Sequence, residues 1–174
     1  DNRLTLTAPE VRTLIENSIA DVIREEYPEA DVIMGTATAG IAHAAIAAHI
    51  LGLPMGYVRS GAKDHGRGNQ IEGQLNKGDK VVIVEDLIST GGSVIDAATA
   101  LRNAGAEVLG IVSIFTYGMQ KGLDRLAQEN LKNISLTNFD VISEVAVDES
   151  YIRPEDRERL IAFRNNPSDE GWIK

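Results

Sequence analysis

The 174-residue chain has no cysteine, which excludes disulfides, thiolate nucleophiles and cysteine-ligated zinc. It is short of positive charge, with 17 Lys and Arg against 26 Asp and Glu and a formal net charge of −9. That balance argues against a broad grip on nucleic acid or on an anionic membrane surface. Long apolar runs are missing too, and none approaches the roughly 20 residues that span a bilayer. Neither nucleic acid nor membrane is therefore expected as a partner, and the expected location is the cytoplasm. Aromatic residues make up only 5% of the chain, and the single Trp, Trp172, is expected to be a packing anchor. What remains, 43% hydrophobic and 25% charged residues, is the mixture of a folded globular chain rather than a disordered one. The length suits one domain over residues 1–174, and the sequence holds no linker or repeat. It opens at Asp1-Asn2-Arg3 with no Met and no signal-like segment.

Strand and helix patterns alternate along the chain. Thr7 and Glu10 have the spacing of a capping box, with Pro9 in the first turn of a helix that reaches Tyr27-Pro28. Asp31 to Met34 reads as a short buried strand, Gly35 to Gly40 as a loop of small residues, and Ile41 to Leu51 as an Ala-rich helix stopped by Gly52. Met55 to Val58 is the next strand. Residues 59–73 lack any apolar period, and Gly61, Gly66, Gly68 and Gly73 predict a mobile loop there. Lys80 to Val84 is a β-branched run of the kind buried on both faces. Helices are expected at Ser93 to Ala104, Lys121 to Leu131, Asn138 to Val147 and Pro154 to Phe163, with a strand at Val108 to Phe115. The alternation predicts an α/β fold with a mostly parallel, helix-flanked sheet.

The most informative segment runs from Val81 to Ser93. A buried strand leads to Glu85 and Asp86, then to Leu87 and Ile88, then to Ser89-Thr90-Gly91-Gly92-Ser93 and a helix start. Ligands of open α/β sheets bind beyond the carboxyl ends of the strands. Gly91 and Gly92 let successive N–H groups converge on one anion, Ser89, Thr90 and Ser93 add hydroxyls, and the helix aims its positive end at the same point. The turn is neither a nucleotide P-loop nor a Gly-x-Gly-x-x-Gly dinucleotide turn. Carboxylates beside a phosphate cradle suit sugar hydroxyls, so the pattern reads as a ribose 5-phosphate site. Thr-Gly-Gly-Ser alone reads first as an ordinary helix cap.

The whole string resembles the phosphoribosyl pyrophosphate signature of the type I phosphoribosyltransferases. Arg59, Lys63 and Arg67 lie in a second segment, Tyr57 to Gly73, of an otherwise acidic chain. That segment resembles the catalytic loop of orotate phosphoribosyltransferases, most closely their Gram-positive form, in which Lys-x-His-Gly-x-Gly follows an Arg. The resemblance extends over residues 1–140. It implies a Rossmann-like type I fold and transfer of phosphoribosyl from phosphoribosyl pyrophosphate to orotate, a step of pyrimidine biosynthesis. It also implies Mg²⁺ held mainly by substrate, and a homodimer in which loop 59–73 acts in the neighbouring subunit's site. By the same resemblance Thr36, Ala37, Thr38, Ala39 and Gly40, with Arg59, Lys63 and His65, hold the pyrophosphate. Glu85, Asp86, Leu87 and Ile88 line the substrate, Lys63, His65 and Asp86 act in catalysis, and Ser89 faces orotate.

The chain departs from that family in three places. Members begin earlier, with an N-terminal hood over the base, so the hood segment is expected to be missing here. Many carry another Lys where this chain has Ser60-Gly61. Some place an Arg for the base carboxylate where it reads Thr116-Tyr117-Gly118. Two other readings share the cradle: a purine-salvage phosphoribosyltransferase, and a non-catalytic regulator that senses phosphoribosyl pyrophosphate. His43 and His49, six apart on the Ala-rich helix, are expected to pack or face solvent rather than bind metal.

Overall fold

The β-branched run at Lys80 forms a central strand of a six-stranded sheet in the computed structural model, which describes residues 2–61 and 70–173. A 3-10 turn over Asn2–Thr7 leads into α1 (Pro9–Glu26), β1 (Val32–Thr36), α2 (Gly40–Leu51), β2 (Met55–Val58) and β3 (Ile71–Glu72). There follow β4 (Lys80–Ile88), α3 (Gly92–Asn103), β5 (Glu107–Thr116), α4 (Gln120–Gln128), β6 (Asn133–Asn138), α5 (Phe139–Asp148) and α6 (Pro154–Asn165). The strand order is β3-β2-β1-β4-β5-β6. Neighbours run parallel except β2 and β3, which pair antiparallel at the edge. The expected α/β architecture is the one observed.

Helices cover both faces, which is why β4 is apolar at successive positions rather than alternate ones. Val81 and Ile83 pack on one side with Val94, Ala98 and Leu101 of α3. Val82 and Val84 pack on the other with Ile19 and Ile23 of α1 and Ala44, Ala47 and Ala48 of α2. The alanines let α2 sit close to the sheet, so close that a Cβ on Gly35 would fall 2.9 Å from the Ala44 Cβ. Gly52 and Gly105 end their helices with φ of 69° and 94°, the left-handed geometry that favours glycine. Trp172 meets Phe163 edge-on, with centroids 5.0 Å apart. Among the described residues no helix is long and apolar enough to cross a membrane.

Local expectations fail at several points. The Thr7 capping box does not form: α1 is capped at Ala8 without a side-chain bond, and the Thr7 hydroxyl donates to the Leu4 carbonyl at 2.8 Å inside the preceding turn. The strand read over 80–84 continues to Ile88, so Glu85 and Asp86 belong to β4 itself. Ile71 and Glu72 leave the expected loop to pair with Val58 and Tyr57. The polar stretch of β6 joins the sheet because β5 supplies a parallel partner from Ile111 to Thr116. α4 stops at Gln128, and Asn130, at a φ of 52°, reverses the chain so that Leu131 still enters the core.

One polar pair lies inside the α1–α2 contact. His43 Nδ1 and Glu16 Oε1 are 2.6 Å apart, with side chains 0% and 1% exposed. Removing one partner strands the other away from water, which costs about 3–5 kcal/mol for a buried pair. Urea unfolding of His43→Ala should show a loss of that order, and Glu16→Gln, which keeps an acceptor for the ring, should lose clearly less. Equal, small losses in both variants would show that the pair contributes little.

Candidate functional site

β1 and β4 are adjacent and parallel, yet the helices that follow them pack on opposite faces, α2 on one and α3 on the other. Their connecting loops part at the carboxyl ends of the strands, which is where open α/β sheets form a ligand crevice. Concavities of about 920 Å³ and 680 Å³ open there, sharing Ala37 and Ser93 in their walls. Glu85 and Asp86 line the larger, and Arg59 and Gly92 the smaller.

The β4–α3 turn is built as the sequence suggests. Gly91 stands at the N-cap of α3 with φ 74° and ψ 4°, and no side chain caps the helix. By contrast, Asn138 caps α5 by accepting from the Val141 N–H at 3.0 Å. Among the described residues, no acceptor is paired with the N–H groups of Thr90, Gly91, Gly92 or Ser93. Gly91 is buried, Ser89, Thr90 and Gly92 are half-buried, and Ser93 is exposed. Converging free donors at a helix N-terminus, with hydroxyls around them, favour an anion.

The loop after β1 repeats the device. Ala39 precedes α2 with no side-chain cap, the Ala37–Thr38 peptide is cis, and the Ala37 N–H is spent on the Val58 carbonyl at 2.9 Å. The N–H groups of Thr38, Ala39 and Gly40 pair with no acceptor among the described residues. Thr36 is buried, and its hydroxyl donates to the Val84 carbonyl at 3.3 Å, tying this loop to β4. A Cβ on Gly40 would lie 2.6 Å from the Thr36 hydroxyl and 2.7 Å from the Val84 carbonyl oxygen, so only glycine fits there.

The two acids have different environments. Glu85 is 5% exposed; its Oε1 accepts from the Asp86 N–H at 3.0 Å and its Oε2 from the Ser93 hydroxyl at 3.5 Å. Burial above all, then hydrogen bonding and like charge from the Asp86 side chain, together push its carboxyl up to about 7 against hydrogen bonds from Thr36 and the Asp86 backbone. Asp86 is half-buried and open to the larger concavity. Leu87 and Ile88 complete the strand, and the Ile88 carbonyl accepts from the Thr116 hydroxyl at 3.3 Å.

Arg59 sits at the rim, 3.4 Å from a Glu72 carboxylate oxygen. Lys63 and His65 lie outside the described residues, as does Arg67. The sequence pattern does not reveal a further wall: Asn2 Nδ2 donates to the Asp86 carbonyl at 2.7 Å, and Asn2, Arg3 and Leu6 line the larger concavity. No periodic signal marks these residues, since a short 3-10 turn presents none. Tyr117, just beyond β5, stacks on Phe139 with ring centroids 5.5 Å apart.

Fold and site together define a phosphoribosyltransferase: the phosphoribosyl transferase domain matches residues 5–150. The chain is 52% identical over its whole length to the orotate phosphoribosyltransferase of Bacillus subtilis, covering 81% of that protein. It is 56% identical to that of Listeria innocua, again over its whole length and covering 82% of the relative. The crystal structure of orotate phosphoribosyltransferase from Aeropyrum pernix superposes with a TM-score of 0.76 at 29% identity, over 83% of this chain and 80% of that one. The chain belongs to the orotate phosphoribosyltransferase family.

Glu85 generates a pH signature. Its ordinary value is 4.5, against about 7 in the fold, so the folded chain keeps a proton that the unfolded chain has released across that interval. Its contribution to stability therefore falls as pH rises from about 4.5 to about 7, by about 3 kcal/mol in all. Urea stability compared at pH 5 and pH 7.5 should fall more in the parent chain than in Glu85→Gln. Parallel pH profiles would contradict the assignment.

Proposed function

We propose that this chain joins orotate to the phosphoribosyl group of phosphoribosyl pyrophosphate, producing orotidine 5′-monophosphate and pyrophosphate. One observation supports it above the others: two helix N-termini without side-chain caps open onto one crevice whose wall also holds Asp86. Two uncapped helix starts on one crevice suit a ligand that carries phosphate at both ends of a sugar.

In this reading the 5-phosphate rests on the N–H groups and hydroxyls of Ser89 to Ser93. Thr36 to Gly40 receive the pyrophosphate, with Arg59 at the rim. Ser89 borders the base. Asp86 accepts from the ribose hydroxyls and faces the positive charge that develops as the C1′–oxygen bond to pyrophosphate breaks and the bond to the orotate nitrogen forms, by analogy with glycosyl transfer. Glu85, buried beneath Ser93, sets the position of Asp86 through the Asp86 N–H. Lys63 and His65 neutralise or protonate the departing oxygen. Positioning and stabilisation of the leaving group supply most of the catalysis.

Among the described residues no three His, Asp or Glu side chains are grouped so as to hold a metal. Asp86 and the substrate's own oxygens fit Mg²⁺ of the hydrated, substrate-held kind. When bound, it would offset the negative charge of the pyrophosphate. The chain acts as a homodimer whose 59–73 loop serves the neighbouring site.

Loss of orotate absorbance on adding phosphoribosyl pyrophosphate with Mg²⁺ tests the reaction, and chelation of Mg²⁺ should abolish it. Adenine, guanine, xanthine and uracil offered in its place should give no product; turnover of a purine instead would transfer the reading to salvage. Asp86→Asn should lower kcat about 100-fold or more while changing KM little, and unchanged turnover would remove Asp86 from the mechanism. Loop action between subunits predicts complementation. Mixing inactive Lys63→Ala and Asp86→Asn chains should restore about a quarter of the activity, because half of the dimers then hold one intact site. No recovery after subunit exchange would place the loop in its own subunit's site.

A further inference from the structure

The phosphate turn is supported from behind by a helix outside the signature string. α4 lies against it so closely that a Cβ on Gly122 would overlap the Ser89 carbonyl, and Leu126 stands 3.6 Å from where a Gly91 Cβ would be. Between these two contacts, Arg125 Nη1 donates to the Thr90 carbonyl at 3.1 Å. Its terminal nitrogens also come within 3.5 and 3.9 Å of the Cβ position at Gly92. Arg125 is half-buried and, among the described residues, is paired with no carboxylate. In a chain of net charge −9, an unneutralised guanidinium against this turn needs a reason.

We infer that Arg125 is a positioning residue for the 5-phosphate: by holding the Thr90 carbonyl on the α4 side, it directs the Gly91 N–H into the crevice and sets a positive charge behind the bound anion. The geometry follows from the peptide group. In a trans peptide the C=O and N–H point in opposite directions, and the only cis bond among the described residues is Ala37–Thr38. A Thr90 carbonyl drawn towards α4 therefore sends the Gly91 N–H away from it. Gly91, at φ 74°, has the backbone freedom that would otherwise let this peptide rotate. A hydrogen bond from a charged donor is stronger than a neutral one, and the charge works at short range in a site partly closed to water. The sequence motif does not include this residue because it lies 35 positions away from its partner.

The inference rests on the reading of Ser89 to Ser93 as the 5-phosphate site, and the test separates the two. Ribose 5-phosphate and inorganic pyrophosphate are titrated separately by calorimetry, with Mg²⁺, into the full chain and into Arg125→Ala and Arg125→Lys. Loss of a charged hydrogen bond predicts that Arg125→Ala binds ribose 5-phosphate about tenfold more weakly. Pyrophosphate, held by the other loop, should stay within about twofold, which also reports a folded site, and Arg125→Lys should recover most of the lost affinity. Unchanged ribose 5-phosphate affinity in Arg125→Ala would overturn the role of Arg125 and leave the phosphate site standing. Equal weakening for both ligands would overturn it too, by reducing Arg125 to a structural prop. Failure of the parent chain to bind ribose 5-phosphate would overturn the phosphate site and the inference with it.

Discussion

The site depends on one constraint: two neighbouring parallel strands must send their helices to opposite faces of the sheet while both helices begin without a side-chain cap. If α2 and α3 packed on the same face, their connections would lie over each other and no crevice would separate them. If an Asp or Ser capped either helix, as Asn138 caps α5, the donors needed for an anion would be satisfied internally. β1 and β4 meet the constraint because they are buried on both faces, so the helices of both layers are fixed by apolar packing and their ends are left free for binding.

This arrangement explains how a strongly acidic chain can offer a site for anions. In the proposed function the attraction comes mainly from backbone donors and helix ends, which are uncharged in the composition and invisible to a net-charge argument. Few side-chain cations take part among the described residues: Arg59 is partly engaged by Glu72, and Arg125 holds the Thr90 carbonyl. The two acids share the remaining work unequally. Burial keeps Glu85 beneath the surface with a proton affinity far from ordinary, while Asp86 stays open to the crevice. Glu85 is held by the Asp86 N–H and the Ser93 hydroxyl while the half-buried Asp86 lines the larger concavity, so one acid anchors and the other reaches.

Much of this is readable in the residues themselves. The β-branched run, the glycines at 52, 91 and 105 and the hydroxyl-rich turn each state a local conformation, and the structure contains all of them. Other features are settled by partners rather than by the local pattern. The Thr7 hydroxyl prefers the Leu4 carbonyl of a turn that sequence periodicity does not signal. β6 is half-buried at every position and mostly polar, so it gains strand character only from β5 beside it. His43, expected to pack or face solvent, is fully buried, and its partner Glu16 is 27 positions away. Within the site, the difference between Glu85 and Asp86 and the contribution of Asn2, Arg3 and Arg125 are tertiary facts, created where separate elements meet.

The most direct test of the central claim is the backbone amide spectrum of the ¹⁵N-labelled chain during titration with ribose 5-phosphate. The account predicts that the largest shifts fall on Thr90, Gly91, Gly92 and Ser93, whose N–H groups would gain an acceptor, while the Val141 N–H capped by Asn138 stays still. Saturable shifts centred on another part of the chain, with these four amides unmoved, would contradict it.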